Sequence, residues 1–171
     1  MSRRVFDYVE EAGSAALGGR LRRLSERVDG EARRIYAEQG IAFEQRWLGL
    51  LDLLSAGPKS VGELAQALGI SHPSVSESRR SLASAGLIDW QVDERDRRRK
   101  LLRLSPAGED LVGRLRPLWS LLDDVAREVD VEAGGVTASL ARLEAALDRR
   151  PFSERVLERL RGASAEREGS E

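Results

Sequence analysis

The sequence predicts a mostly α-helical protein with one small β-hairpin: a winged helix-turn-helix flanked by long N- and C-terminal helices. Three observations carry this expectation. Ser60-Val61-Gly62-Glu63 spells a capping box that opens a short helix, and Gly69 and Ser71 separate that helix from the next. A hairpin follows between Gly86 and Ser105, with arginines crowded at its tip. Leucine and valine recur at helical spacings of three and four on both sides of this block.

Ser14 to Glu38 reads as one long helix, because Leu17, Leu21, Leu24, Val28 and Ile35 fall on a single stripe and Gly40 ends it. Phe43, Trp47, Leu50, Leu51 and Leu54 form the apolar face of a second helix, which Gly57-Pro58 stops. The capped helix after Ser60 carries Val61, Leu64, Ala65 and Leu68. Gly69 closes it with the positive φ that glycine tolerates. Ser71 caps the following helix, and Pro73 occupies its first turn, where a missing N–H is harmless. After the hairpin, Ser105-Pro106 starts a helix striped by Leu111, Leu115, Leu118, Leu122, Val125 and Val129. Gly134-Gly135 interrupts it, and Val136, Leu140, Leu143 and Leu147 continue the rhythm to Pro151. Val156, Leu157 and Leu160 suggest a last short helix. Residues 162–171 lack an apolar anchor and are expected to be disordered. The segments are thus 1–40, 41–105, 106–161 and the tail 162–171.

Composition narrows the chemistry. The 171 residues contain no cysteine, which excludes disulfides, thiolate metal sites and thiol redox sensing, and His72 is the single histidine, so no metal site is expected. No apolar run approaches the roughly 18 residues that span a bilayer. Asp7, Glu10 and Glu11 stand where a signal peptide would need an apolar stretch, which points to the cytoplasm. No phosphate loop, carboxylate pair or nucleophile–histidine set suggests an enzyme, and no cofactor is expected. Net charge is −1, yet Asp93 to Arg103 holds six basic residues against three acidic ones. One concentrated basic spot on a near-neutral chain favours a directed contact with double-stranded DNA over general polyanion binding.

The helix pair meets the demands of a helix-turn-helix. Ala65 is small where the second helix crosses, Gly69 makes the turn, and Ile70, Val75 and Leu82 are expected to lock the second helix onto the first. Ser74, Ser76, Glu77, Arg80 and Ser81 then face outward, with Ser71, His72 and Pro73 at the end aimed at base edges. Serines can bond bases or phosphates, and Arg80 can reach a phosphate or a guanine. A carboxylate at Glu77 would repel phosphates unless it accepts from a cytosine amino group. Arg95, Arg97, Arg98 and Arg99 supply a wing for the minor groove.

Taken together, these residues resemble the MarR-type winged helix-turn-helix transcriptional regulators. The resemblance rests on Val61-Gly62-Glu63-Leu64-Ala65-Gln66-Ala67-Leu68-Gly69-Ile70-Ser71, Gly86-Leu87-Ile88, Asp93-Glu94-Arg95-Asp96-Arg97-Arg98 and Leu104-Ser105-Pro106-Ala107-Gly108. It extends from about Leu17 to Leu147. It implies that Asp96 pairs with Arg98 and holds the loop while the arginine enters the minor groove; a guanidinium presented in one orientation loses less entropy on docking. Glu77 departs from the pattern, standing where the family often has a basic or amide residue. Ser78 and Arg79 stand where apolar residues would pack.

The resemblance also implies that the flanking helices pair two copies into a homodimer, which would read a pseudo-palindromic operator with its two recognition helices roughly 34–36 Å apart. The apolar stripes at both ends can alternatively close a bundle within one chain. A small-molecule effector is implied between the dimer helices and the DNA-binding lobe, with Tyr36, Arg46 and Trp47 as candidates there and core packing as the alternative for the two aromatics. The expectation is a ligand-responsive repressor; the alternative is a winged-helix module that binds another protein.

Overall fold

The leucine and valine rhythms become helices in the computed structural model, which describes residues 7–94 and 96–168. The chain divides into two units, one up to Arg114 and one from Leu115. The first unit opens with a single turn, α1 (Tyr8–Glu11), capped by the Asp7 carboxylate, which accepts from the Val9 and Glu10 amides. A 3-10 turn at Gly13–Ala16 leads into α2 (Leu17–Glu38), so the regular helix starts three residues later than the stripe suggests. Gly40, at φ +66, ends it: its amide bonds Ala37 O, and that of Ile41 bonds Tyr36 O. This crossed pair satisfies carbonyls that the helix end would otherwise leave open.

Chain segment 41–44 is irregular, a 3-10 turn covers Gln45–Trp47, and α3 spans Leu48–Ser55. Helices α4 (Val61–Leu68) and α5 (His72–Ser84) follow, then β1 (Ile88–Val92) and β2 (Lys100–Leu104). The strands are antiparallel, with Ile88 opposite Leu104 and Trp90 opposite Leu102. The link before α4 adds a rung that the sequence did not signal: Lys59 and Leu102 exchange backbone hydrogen bonds of 3.0 and 2.8 Å.

The core of this unit gathers the expected face of α3 with neighbours from every element around it. Phe43, Trp47, Leu50, Leu51 and Leu54 are all buried, as are Leu64, Val75, Leu82, Ile88 and Leu102. Each such leucine contributes roughly 1.5–3 kcal/mol by leaving water. Tyr36, Phe43 and Trp47 stack in sequence, with ring centroids 4.4 and 5.8 Å apart. Ile70 does not join them. It is 41% exposed, because the turn that Gly69 makes carries it outward, so Val75 and Leu82 are the buried apolar residues of α5.

Ser105 fastens the exit from the wing. Its hydroxyl donates to Gly86 O at 2.6 Å and accepts from the Gly108 amide at 3.1 Å, capping α6 (Pro106–Glu132). Gly108 is obligatory there, since a Cβ would stand 2.1 Å from Leu87 O.

The second unit is helical throughout. Helix α6 continues through Pro117, and Gly134 and Gly135, both at positive φ, break it from α7 (Val136–Arg149). The Asp130 carboxylate accepts from the Thr137 amide and hydroxyl and so caps α7 from the preceding helix. Helix α8 (Phe152–Glu168) corrects the expectation for 162–168: these residues are helical. Alanine, glutamate and arginine have high helix propensity and extend a helix already nucleated upstream, with no apolar anchor needed. Residues 169–171 of the expected tail lie outside the described residues.

Apart from Leu111 and Leu115 at the start of the α6 stripe, which are buried, the apolar stripes are legible as faces more than as core. Leu17, Leu21, Leu24 and Val28 of α2 are exposed, while Ala32 and Tyr36 are its buried residues. In the second unit Val125, Val129, Val136, Leu140 and Leu147 are exposed as well. No helix among the described residues is long and apolar enough to cross a membrane.

Candidate nucleic-acid interface

Local sequence sets the α4–α5 corner. Ser60 Oγ accepts from the Glu63 amide, and the Glu63 carboxylate returns the bond to the Ser60 amide at 2.7 Å. Gly69 at φ +64 ends α4, and Ser71 Oγ accepts from the Ser74 amide to begin α5. The second helix buries Val75, Ser78 and Leu82. At 100° per residue, the opposite face carries Pro73, Glu77 and Arg80, all exposed. Ser71, His72 and Ser74 are exposed at the N-terminal end, and Ser76 is half-buried on the flank. The hydroxyls of Ser71 and Ser74 also bond each other at 2.9 Å.

Ser81 departs from its expected outward position. Its hydroxyl accepts from Trp47 Nε1 at 3.1 Å and donates to Glu44 at 2.8 Å, which draws it towards the body of the unit. Glu44 also meets Arg46 at 2.5 Å, and Arg46 reaches Glu77 at 2.7 Å. The Ser81 hydroxyl, and after it Arg46, hold the Glu44 carboxyl below its usual range. The carboxylates beside Arg46, Glu44 foremost, raise its pKa further. A chain of polar contacts thus ties the surface of α5 to the entry of α3. Arg46, expected near an effector, belongs to this surface instead. Tyr36 is almost fully buried in the aromatic stack.

The wing sorts its arginines. Arg97 and Arg98 are exposed at the tip, and among the described residues neither has an ion-pair partner. Arg95 lies outside the described residues. Arg99 turns back: it lies 3.3 Å from Glu63 and 3.6 Å from Asp93. The Ser60 contacts, and after them Arg99, depress the Glu63 carboxyl to about 2. Asp96 holds the loop by a route different from the one expected. Its Oδ1 accepts from the Arg98 backbone amide at 3.0 Å, and its carbonyl from the Arg99 amide at 2.8 Å. It shapes the turn through the backbone, and the Arg98 side chain is exposed. On β1, Trp90 is half-exposed with the Arg79 guanidinium 5.3 Å from its ring centre, a cation–π contact that accounts for an arginine where an apolar side chain was expected.

A cleft of about 360 Å³ opens on the first unit, lined by Ile41, Trp47, Ala85, Leu87, Leu111 and Arg114 among others. Of the three effector candidates only Trp47 borders it. The sequence reading missed Arg114, whose side of α6 is marked only by a single cation beside an apolar stripe. It also missed the Arg46–Glu77 pair. Only half of that pair was signalled: a lone carboxylate on an otherwise polar and basic helix face calls for a cation, but which cation is set by the fold.

Comparison with known proteins agrees with this geometry. Residues 41–99 match the MarR family. The uncharacterized HTH-type transcriptional regulator YdgG of Bacillus subtilis (strain 168) is 32% identical over 87 residues, and the chain spans 57% of that relative's length and aligns over 46% of its own. The fold is shared with the transcriptional repressor CouR bound to a 23-mer DNA duplex: TM-score 0.63 at 22% identity, covering 84% of this chain and 99% of that one. It is shared also with BpsR of Bordetella bronchiseptica, whose DNA binding is regulated by 6-hydroxynicotinic acid: TM-score 0.62 at 19% identity, covering 82% and 97%.

Proposed function

We propose, from a MarR-family segment set in a winged helix-turn-helix, that this protein is a sequence-specific DNA-binding transcriptional regulator. The observation that carries the reading is the pairing of an exposed α5 face with the exposed Arg97 and Arg98 of the wing. A helix of that size fits the major groove, and arginines on a hairpin fit the minor groove. Ser71, His72, Pro73, Ser74, Ser76 and Arg80 are the base and phosphate contacts of the helix; Arg97 and Arg98 are those of the wing. Arg99 serves the wing as a strut.

The regulator acts as a homodimer in the cytoplasm. The exposed stripes on α2, α6 and α7 support this, since exposed apolar faces of such length mark association surfaces. It is a repressor whose grip on DNA responds to a small molecule. The cleft beside Trp47 and Arg114 supports that reading: its size suits a small ligand, with an apolar wall for a ring and a guanidinium for an anion.

Selecting bound fragments from random duplex DNA with the purified protein tests the whole reading. Pseudo-palindromic half-sites about one helical turn apart are expected. An unenriched pool, or binding indifferent to salt, would overturn it.

A further inference from the structure

Every base contact that α5 makes must pass Glu77. Val75, Ser78 and Leu82 bury one side of the helix, and Pro73, Glu77 and Arg80 lie at i, i+4 and i+7 on the other. An isolated carboxylate there would oppose DNA. This one is not isolated, because Arg46 Nη1 stands 2.7 Å from its Oε1 and Arg46 is itself fixed by Glu44. The second carboxylate oxygen carries no hydrogen bond among the described residues, and the side chain is 65% exposed. The result is a charge-compensated acceptor at the middle of the reading face.

The geometry points to Glu77 as a specificity-determining residue that accepts a hydrogen bond from the exocyclic amino group of a cytosine in the major groove, with Arg46 cancelling its repulsion of the flanking phosphates. Cytosine N4 is a pure donor at that edge, whereas thymine offers O4, an acceptor that a carboxylate rejects, and adenine sets its N6 donor beside N7, an acceptor that repels the second carboxylate oxygen. A carboxylate donates nothing, so it cannot satisfy guanine O6 or N7. Arg46 is the positioning residue: it fixes the carboxylate rotamer from outside the helix, so little freedom is lost when the base arrives. This inference rests on the DNA-binding reading and deepens it, by assigning the base that one position of each half-site must hold.

The test is selection from random duplexes, followed by titration of the selected duplex and its single-base variants with wild type, Glu77→Gln, Glu77→Ala and Arg46→Ala. Wild type should prefer cytosine over thymine at one position per half-site by about tenfold, near the lower end of what one good base contact supplies. Glu77→Ala should level that position and leave the others unchanged. Glu77→Gln, nearly isosteric and so a check on folding, should shift the preference to adenine, whose N6 and N7 match an amide. Arg46→Ala should reduce the cytosine preference, because the carboxylate is no longer held in one rotamer, and should also weaken all duplexes. If Glu77→Ala and Glu77→Gln retain the wild-type base preference at every position, the inference falls while the DNA-binding reading stands. If wild type selects no sequence, both fall.

Discussion

Nη2 of Arg99 lies 3.3 Å from Oε1 of Glu63, and through this pair the wing is fastened to the first helix of the helix-turn-helix. Glu63 serves two structures at once. One oxygen completes the capping box with Ser60, and the other holds the arginine. An arginine that sequence alone would send to DNA is therefore engaged in positioning the arginines beside it.

The cap should be measurable by itself. Ser60→Ala removes the acceptor for the Glu63 amide and should cost about 1 kcal/mol. For a chain of this length that lowers the midpoint of thermal unfolding by roughly 2–4 °C. Calorimetry checks it; an unchanged midpoint would deny the box any energetic weight.

The same carboxylate predicts an acid limb of stability. Its folded pKa, about 2, lies below the ordinary value of 4.5, so its stabilisation is complete above about pH 4.5 and is lost as pH falls towards 2. Glu44, Asp7 and Asp130 are shifted in the same direction and act in the same sense. Unfolding midpoints followed from pH 6 to pH 3 should fall, and Glu63→Gln should flatten the lower part of that curve. A Glu63→Gln curve parallel to wild type would count against the coupling.

Two neighbouring arginines should behave differently. Arg98→Ala should weaken DNA binding by about tenfold or more with no change in thermal stability, since its exposed head group has no ion-pair partner among the described residues and one good contact is worth about 1–3 kcal/mol. Arg99→Ala should lower stability slightly, as exposed pairs contribute about 0–1 kcal/mol, and should weaken DNA binding less. Parallel titrations and melts decide between them; equal losses of affinity would erase the distinction.

Gly108→Ala places a methyl group 2.1 Å from Leu87 O, against the Leu87 carbonyl. Destabilisation at the top of the usual 1–3 kcal/mol range for overpacking, or above it, is expected. Chemical denaturation measures this, with Gly113→Ala as control, because a Cβ there meets open space.

The uncovered stripe on α7 leads to a prediction about assembly. Leu140→Asp should yield a monomer by sedimentation equilibrium while circular dichroism stays helical, because Leu140 is already 37% exposed in the single chain. A variant that sediments as wild type would count against association through this face.

What the sequence made legible was local. Ser60, Glu63, Gly69 and Ser71 announce the corner because capping and turn chemistry act within a few residues. The burial of Leu50, Leu51 and Leu54 follows from periodicity alone. Partners distant in sequence were not legible: Arg46 with Glu77, Glu63 with Arg99, and Ser81 between Trp47 and Glu44 are brought together only by the fold. Ile70 misled because an apolar residue beside a turn can point either way. The stripe of α2 misled in another manner, since a pattern shows which side is apolar but not what covers it.

The backbone rung between Lys59 and Leu102 bears on what this chain can tolerate as it diverges. Surface connections usually accept extra residues at small entropic expense. The link from α3 to α4 is no such connection, because Lys59 forms a β-bridge with Leu102 of the wing. An insertion or deletion at 56–60 would slip the register with Leu102 and tilt hairpin and helix against each other. Length variation in this part of the molecule should therefore be confined to the hairpin tip, where a change alters reach and leaves aim intact.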